Sequence, residues 1–334
     1  MALRGVLLTS VTLLDTSELK KAKDRLLNGD VVAIPTETVY GLAASIESEK
    51  GLRKIFALKE RPFFDPLIVH VASFKEAAKV AKTWPPLADF VARFFWPGPL
   101  TIVLPKADSV NPLITSGLDT VAIRYPSHPI ALELIRMVGT PLAAPSANRF
   151  GRTSPSRAGH VRAEFPGSQL LILDGGECEV GLESTVISID ADESKIRILR
   201  PGAITAEMLA ETLKKWSKPV TIEHASSAES PGHLKHHYMP NIPLVIVRKD
   251  EPGGLSQKTR DEIASQLGIK VTKVNELVLN EEPAQAAREL YAELRRLSES
   301  GADLIYVREP SSDDGLWRAI WDRLTKAASL DFRG

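Results

Sequence analysis

The residues whose types could do chemistry lie mostly between positions 34 and 200. IPTETVYGL (34–42) leaves a β-branched run and sets Thr36, Glu37 and Thr38 side by side before Tyr40 and Gly41. A turn facing solvent is more often built from Asn, Asp, Ser and Gly. With a buried-looking strand before it and apolar residues after, this segment is expected to aim its polar atoms at a cavity, with Gly41 letting the chain turn close to a ligand. Lys59 and Arg61 stand two positions apart where a helical pattern is stopped by Pro62. A solvated last turn, its cations favoured by the helix dipole, accounts for them by itself. The Phe63–Phe64 pair and a β-run carrying His70 follow at once, which would turn three cationic-capable groups to one cavity. His70 taken alone reads as a hydrogen-bonded core histidine.

AAPSANRFGRTSPS places Ser146 and Asn148 in a turn after Pro145, then continues irregularly through Gly151, Ser154, Pro155 and Ser156. Hydroxyls, amides and free backbone N–H groups bind phosphate oxygens without a Walker sequence; a plain Asn/Gly loop is the ligand-free alternative. Arg124, in TVAIRYP, is costly to bury unless an acidic side chain or an anionic substrate meets it. A guanidinium also suits bidentate contact with a carboxylate. GLESTVIS carries Glu183, Ser184 and Thr185 into a strand, and ILRPG puts Arg200 at a strand end.

The elements that must position these groups alternate between helix and strand. Helices are expected over 17–28 (Ser17 as N-cap, Gly29 as C′), 48–59, 73–82, 85–96, 128–139 and 205–216. Strands are expected at DVVAI, PLIVHVA, LTIVLP, TVAIRYP, PLAAP, LLILD, STVISID and IRILRP, giving an α/β fold. Periodicity vanishes over 217–242, which by composition is a linker. Alternation then resumes with PLVIV, a helix around 258–266, strands IKV and ELVLN, the helix 283–300, DLIYV and the helix 315–329. That pattern suggests a small Rossmann-like layered domain, and the absence of G-x-G-x-x-G after a strand gives no support for nucleotide binding there.

At 334 residues two domains are the natural expectation. With 43% hydrophobic and 25% charged residues the chain is globular in composition. Its zero formal net charge gives no global case for a nucleic-acid coat or a membrane-surface protein, so any anion site needs local clustering. Cys178 is the only cysteine, which excludes an intrachain disulfide framework or a multi-Cys zinc site and suits a reducing compartment. The N-terminus lacks an uninterrupted h-region and reads as mature protein. No apolar stretch approaches the ~20 residues of a membrane span.

IPTETVYGL, Lys59-x-Arg61-Pro62, PLIVH, FWPGPLTIVL, Ser146-x-Asn148, GLESTVI and LRPG, taken in this order, resemble the YrdC-like family and, within it, the threonylcarbamoyl-AMP synthases. SPGHLKHHYMP resembles the linker of the family's long form, and AARELYAELRRL with DGLWRAIWDRLTKAA resembles the C-terminal half of that form's extra domain. The resemblance implies a twisted mixed sheet around a deep, positively lined cavity, followed by the smaller Rossmann-like domain. The expected organisation is 1–216 catalytic, 217–242 linker or lid and 243–334 C-terminal. The implied reaction joins L-threonine, bicarbonate and ATP into threonylcarbamoyl-AMP, releasing pyrophosphate and water. This is the first step of threonylcarbamoyladenosine modification of tRNA, in the cytoplasm, with a separate transferase complex downstream; direct tRNA contact is left open.

By the same resemblance, Thr38, His70, Arg124 and Ser184 would hold L-threonine. Lys59, Arg61, Asp65, Thr120, Ser146, Asn148, Ser154, Arg200 and Tyr238 would hold ATP. Lys59 and Arg61 would position phosphates, and no side chain stands out as an obligatory general base. Mg²⁺ is expected to bridge phosphate oxygens, since no protein carboxylate cluster is visible. Tyr238, with His237, matches a position where the linker folds over the cavity mouth; a lid there would exclude water from a labile carbamate and adenylate, whereas composition reads the same segment as a tether. Asp65 departs from the Asn common in the family, and its carboxylate is unfavourable near phosphates unless bridged by metal or turned away. His233, Lys235 and His236 make the linker more basic than the family pattern demands. The rival expectations are a non-catalytic double-stranded RNA-binding module, an enzyme acting on carbamoyl phosphate, and an inactive regulatory paralogue.

Overall fold

The computed structural model describes residues 16–225, 237–248, 253–309, 312 and 314–333; the N-terminal reading and His233, Lys235 and His236 lie outside them. The first part runs α1 (Thr16–Leu27), β1 (Val32–Ile34), β2 (Gly41–Ser45), α2 (Glu49–Lys59), β3 (Ile68–His70), α3 (Phe74–Val80), α4 (Pro86–Phe95), β4 (Leu100–Pro105), α5 (Pro112–Thr115), β5 (Thr120–Arg124), α6 (Pro129–Val138), β6 (Leu142–Ala143), α7 (Ala158–Glu164), β7 (Leu171–Ile172), β8 (Thr185–Ile189), β9 (Lys195–Arg200), α8 (Ala206–Leu213) and β10 (Thr221–His224). The second runs β11 (Leu244–Val247), α9 (Gln257–Leu267), β12 (Val274–Glu276), α10 (Pro283–Ser298), β13 (Leu304–Arg308), α11 (Gly315–Ala327) and β14 (Leu330–Phe332).

The ten strands of the first part form one mixed sheet in the order β10-β9-β8-β4-β5-β3-β6-β2-β1-β7. β3–β5 and β4–β8 are parallel, while β4–β5, β3–β6 and β8–β9 are antiparallel. α2 and α4 bury Leu52, Ile55, Phe56, Leu87, Val91 and Phe95 in the largest core cluster. α1 and α6 pack Leu19, Leu26, Leu134 and Ile135 with Val32, Ile34 and Ala43 in another. The second part is a four-stranded parallel sheet, β12-β13-β11-β14. Its helices α10 and α11 bury Leu290, Tyr291, Ile320 and Leu324 in a cluster that also takes Val39, Leu182 and Tyr238. The two sheets are thus joined through shared apolar packing, not only through chain connectivity.

Local chemistry explains the ends of the key helices. Ser48 accepts the Gly51 N–H and caps α2, while Glu60 closes that helix at φ 52°. Glu282 caps α10 through the Ala284 and Gln285 N–H groups, with Pro283 in the first turn.

Several sequence expectations are corrected. α1 includes Ser17 rather than starting after it, and β2, built from Gly, Leu, Ala and Ser, lacks the β-branched residues that mark a strand. β10 lies inside the expected linker and pairs in parallel with β9; as a largely exposed edge strand it shows no apolar alternation. IKV is not a strand, and of ELVLN only Glu276 is, because the edge strand β12 starts at Val274 and ends there. Asp303 accepts the Thr272 and Lys273 N–H groups at 2.7 and 2.9 Å and the Thr272 hydroxyl at 2.6 Å, tying the residues before β12 to the residue before β13.

Gly181 lies against the backbone of α10. At φ +75°, a Cβ there would stand 2.4 Å from Arg288 Cα and 2.7 Å from Ala287 O, both backbone atoms of α10. Gly181→Ala is expected to cost about 2–3 kcal/mol by overpacking. Gly139→Ala, at φ +79° with nothing within 4 Å, is expected to cost about 1 kcal/mol from backbone strain alone. Urea unfolding of the two variants measures the difference.

Candidate functional site

The three polar residues after Pro35 divide their work. Thr36 Oγ1 donates to Val39 O at 2.6 Å and accepts the Val39 N–H at 3.2 Å, so it organises the turn. Glu37, 3% exposed, comes within 2.8 Å of Arg124 Nη2 and accepts the Ser127 N–H at 3.2 Å. Thr38 alone of the three lines a cleft.

The floor of the cleft is one row of the large sheet. His70 pairs with Arg124, Arg124 with Thr101, Thr101 with Val186 and Val186 with Arg200. Directly opposed residues point to the same face, so strand register gathers His70, Arg124, Val186 and Arg200 from 130 residues of sequence; all four line the cleft. Thr101 Oγ1 meets Ser184 Oγ at 2.7 Å. Arg200 donates to Ser184 O and Oγ at 3.1 and 3.2 Å. Ala122, Ala144, Pro145 and Ile68 supply apolar wall, and Tyr238, held at φ 66°, faces the cleft beside His237.

The charges here are incompletely matched. Arg124 is 3% exposed, yet its Nε and Nη2 have no aligned hydrogen-bond acceptor despite the short approach to Glu37. Burial, then the Arg124 charge, pushes His70 down from 6.5 to about 3, so it is neutral at working pH. Its Nδ1 is 3.3 Å from Ile68 O, which assigns the proton there and leaves Nε2 an acceptor. Burial alone would raise Glu183, but Arg323, Arg200 and the Ser154 hydroxyl hold its carboxyl at about 2.

Of the thirteen expected site residues, Thr38, Arg61, Asp65, His70, Arg124, Ser146, Ser184, Arg200 and Tyr238 line the cleft. Four stand outside that lining. The Lys59 ammonium, expected at phosphate, donates to Ser146 O at 2.5 Å and Asn148 O at 2.6 Å; it sits behind the wall, where burial and the Arg61 charge hold its pKa well below the usual lysine value. The Asn148 amide donates to Arg149 O and Arg152 O, and the Ser154 hydroxyl donates to Glu183 at 2.5 Å. Thr120 is exposed at the start of β5. Asp65 pairs with Arg61 at 2.9 Å, a geometry in which a buried acid costs little. Gly41 makes no special turn, and a Cβ there would meet Ala144 Cβ at 3.2 Å, so its small size serves the approach of β2 to the Ala144 segment.

Sequence reasoning missed Glu37 as the partner of Arg124, and it missed Tyr291 and Arg323, which bind Glu183 from α10 and α11. A signal existed for Arg323: it shares a helical stripe with Ala319, Ile320, Leu324 and Ala327, where an unpaired charge is not expected. Among the described residues no cluster of three or more His, Cys, Asp or Glu is placed to hold a metal ion. No helix among them is long and apolar enough to cross a membrane.

Residues 24–202 match the Sua5/YciO/YrdC family model, described as "Telomere recombination", and residues 204–329 match the model described as "Threonylcarbamoyl-AMP synthase, C-terminal domain". The chain is 38% identical over 313 residues to a threonylcarbamoyl-AMP synthase of Pyrococcus abyssi, covering 90% of this chain and 91% of that protein. It is 37% identical over 329 residues to one of Bacillus subtilis, covering 93% of each. The crystal structure of P. abyssi Sua5 complexed with L-threonine superposes with a TM-score of 0.81 at 35% identity, over 96% of this chain and 97% of that one.

The neutral His70 makes stability acid-sensitive. Its folded pKa of about 3 lies below the unfolded value of 6.5, so the unfolded chain takes the proton first. Its contribution is full above pH 6.5 and falls as pH drops towards 3, by up to about 1.4 kcal/mol per pH unit. Urea unfolding at pH 7.5 and 5.0 is expected to show a shallower pH dependence in His70→Gln than in the parent.

Proposed function

The chain belongs to the Sua5/YciO/YrdC family, in the long form bearing the threonylcarbamoyl-AMP synthase C-terminal domain, and we propose that it joins L-threonine, bicarbonate and ATP into threonylcarbamoyl-AMP with release of pyrophosphate and water. One observation carries the reading: a buried guanidinium with unaligned donors, Arg124, stands in register with a neutral imidazole, His70, on the floor of a cleft that also holds Arg61 and Arg200. A zwitterionic amino acid fits the first pair and a polyanion fits the second.

In this reading Arg124 takes the threonine carboxylate. His70 Nε2 accepts a hydrogen bond from its amine or hydroxyl, with Thr38 and Ser184 completing the polar shell. The amine attacks carbon dioxide or bicarbonate to give the carbamate, and a carbamate oxygen attacks the α-phosphorus as pyrophosphate leaves. Arg61, Arg200 and the Ser146 hydroxyl stabilise charge on the phosphates, and alignment supplies most of the acceleration. Lys59, Asn148 and Ser154 act from behind: Lys59 fixes the Ser146–Asn148 carbonyls, and Ser154 orients Glu183. Mg²⁺ would arrive with ATP and be held by phosphate oxygens, because the lining carboxylates, Asp65 and Glu183, are both engaged by arginines. Tyr238 and His237 close the mouth against water. The product would pass to a transferase acting on tRNA, in the cytoplasm. An RNA-binding role is less well supported, since Arg61 and Arg124 are enclosed rather than spread over an open face.

Pyrophosphate release is expected to require ATP, threonine and bicarbonate together, with the threonylcarbamoyl-AMP mass in the product; release without threonine, or none at all, contradicts the assignment. Arg124→Gln is expected to raise the threonine KM about tenfold or more, as for loss of one partner from a buried charged contact, with the ATP KM changed less than about threefold. Steady-state kinetics on each substrate separates the two effects.

A further inference from the structure

Glu183 is the one cleft carboxylate whose counter-charge, among the described residues, comes from the second sheet layer. Oε1 accepts the Ser154 hydroxyl at 2.5 Å; Oε2 accepts the Tyr291 hydroxyl at 2.9 Å and Arg323 Nε at 2.8 Å. The Arg323 side chain is fully buried. Its guanidinium lies 5.3 Å from the centre of the Tyr238 ring, and Tyr238 stacks on Tyr291 at 5.9 Å with the planes 26° apart. The adjoining His237 N–H is held by Lys326 O at 3.1 Å, and Tyr238 O accepts the Thr153 hydroxyl at 3.2 Å. α10 and α11 therefore hold both an acidic wall residue and a buried aromatic of the cleft lining.

We propose that Arg323, assisted by Tyr291, is a positioning residue for the nucleotide: it cancels the Glu183 charge from behind and fixes the Tyr238 ring, leaving Arg200 free for an anion. The inference rests on the ATP reading above. Glu183 and a triphosphate have the same sign, so an uncompensated Glu183 would repel the ligand and draw Arg200 to itself. Among the described residues Arg200 hydrogen-bonds Ser184 but makes no ion pair. Arg200 acts on Glu183 through space, but its hydrogen-bond donors go to Ser184. The second layer would thereby set nucleotide affinity without touching the nucleotide.

Calorimetric titration of the full chain with MgATP, and separately with L-threonine, tests this. Arg323→Met is expected to weaken MgATP binding about tenfold or more, with threonine affinity within about twofold, and Arg323→Lys, which restores the charge but not the planar contact with Tyr238, is expected to recover part of the loss. The double variant Glu183→Gln/Arg323→Met is expected to bind MgATP more tightly than Arg323→Met, because the unpaired charge is gone. Unchanged MgATP affinity in Arg323→Met, or a double variant as weak as the single, overturns the proposal in favour of plain packing. Should Arg323→Met not fold, Tyr291→Phe keeps the ring stack and removes one hydrogen bond. It is expected to lose MgATP affinity about threefold, and no loss there also overturns the proposal. A parent protein that binds no MgATP overturns the ATP reading and this inference together; a parent that binds it with variants that bind equally well overturns the inference alone.

Discussion

A guanidinium on a central strand with 3% of its surface exposed, as Arg124 has, is very costly to bury without a negative neighbour, because an isolated ion loses its hydration. Much of the cleft follows from that constraint. Thr36 folds the segment after Pro35 into a turn so that Glu37 reaches Arg124, and that turn in turn presents Thr38. The same solution recurs with Arg61 and Asp65 at 2.9 Å and with Arg323 and Glu183 at 2.8 Å. In each pair the acid is engaged, while cationic surface from Arg61, Arg124 and Arg200 stays turned to the cleft. A chain with zero formal net charge can therefore build a positive pocket by placement instead of excess.

Lys59 and Arg61 show how two neighbouring cations of one motif come to do different things. Glu60, between them, takes the left-handed conformation that ends α2. The chain reverses there, sending Lys59 to the carbonyls of Ser146 and Asn148 and Arg61 towards Asp65 and the cleft. The ammonium is satisfied by oxygens that cannot titrate, which is compatible with its burial; the guanidinium keeps contacts with the carbonyls of Asp65 and Pro66 while facing the cavity.

The helices with a clean apolar stripe, α2, α4, α6 and α10, were legible in the sequence, as were the β-branched strands β4, β5 and β8. β2 and β10 were not, because one is made of small residues and the other is an exposed edge. At the site, residue type and motif pointed to Thr38, His70, Arg124, Ser184 and Arg200. The sheet row that aligns His70, Arg124 and Arg200 could not be read, since it depends on which strands pair and in which direction. The contacts Lys59 makes with the Ser146 and Asn148 carbonyls could not be read, because backbone carbonyls leave no mark in side-chain identity. Arg323 was passed over although its position on an apolar stripe is the kind of local conflict that marks a buried partner.

The contacts of Glu183 also have a temporal meaning. Its hydroxyl partner Ser154 precedes it, but Tyr291 and Arg323 follow at separations of 108 and 140 residues. During vectorial synthesis, N-terminal segments emerge and begin to organise first. The large sheet can thus form while one wall of its cleft still carries a carboxylate awaiting its counter-ion. That wall reaches its final electrostatic state only after α11 has been translated and docked. A chain that ends before α11 has no Arg323 to meet the Glu183 carboxylate.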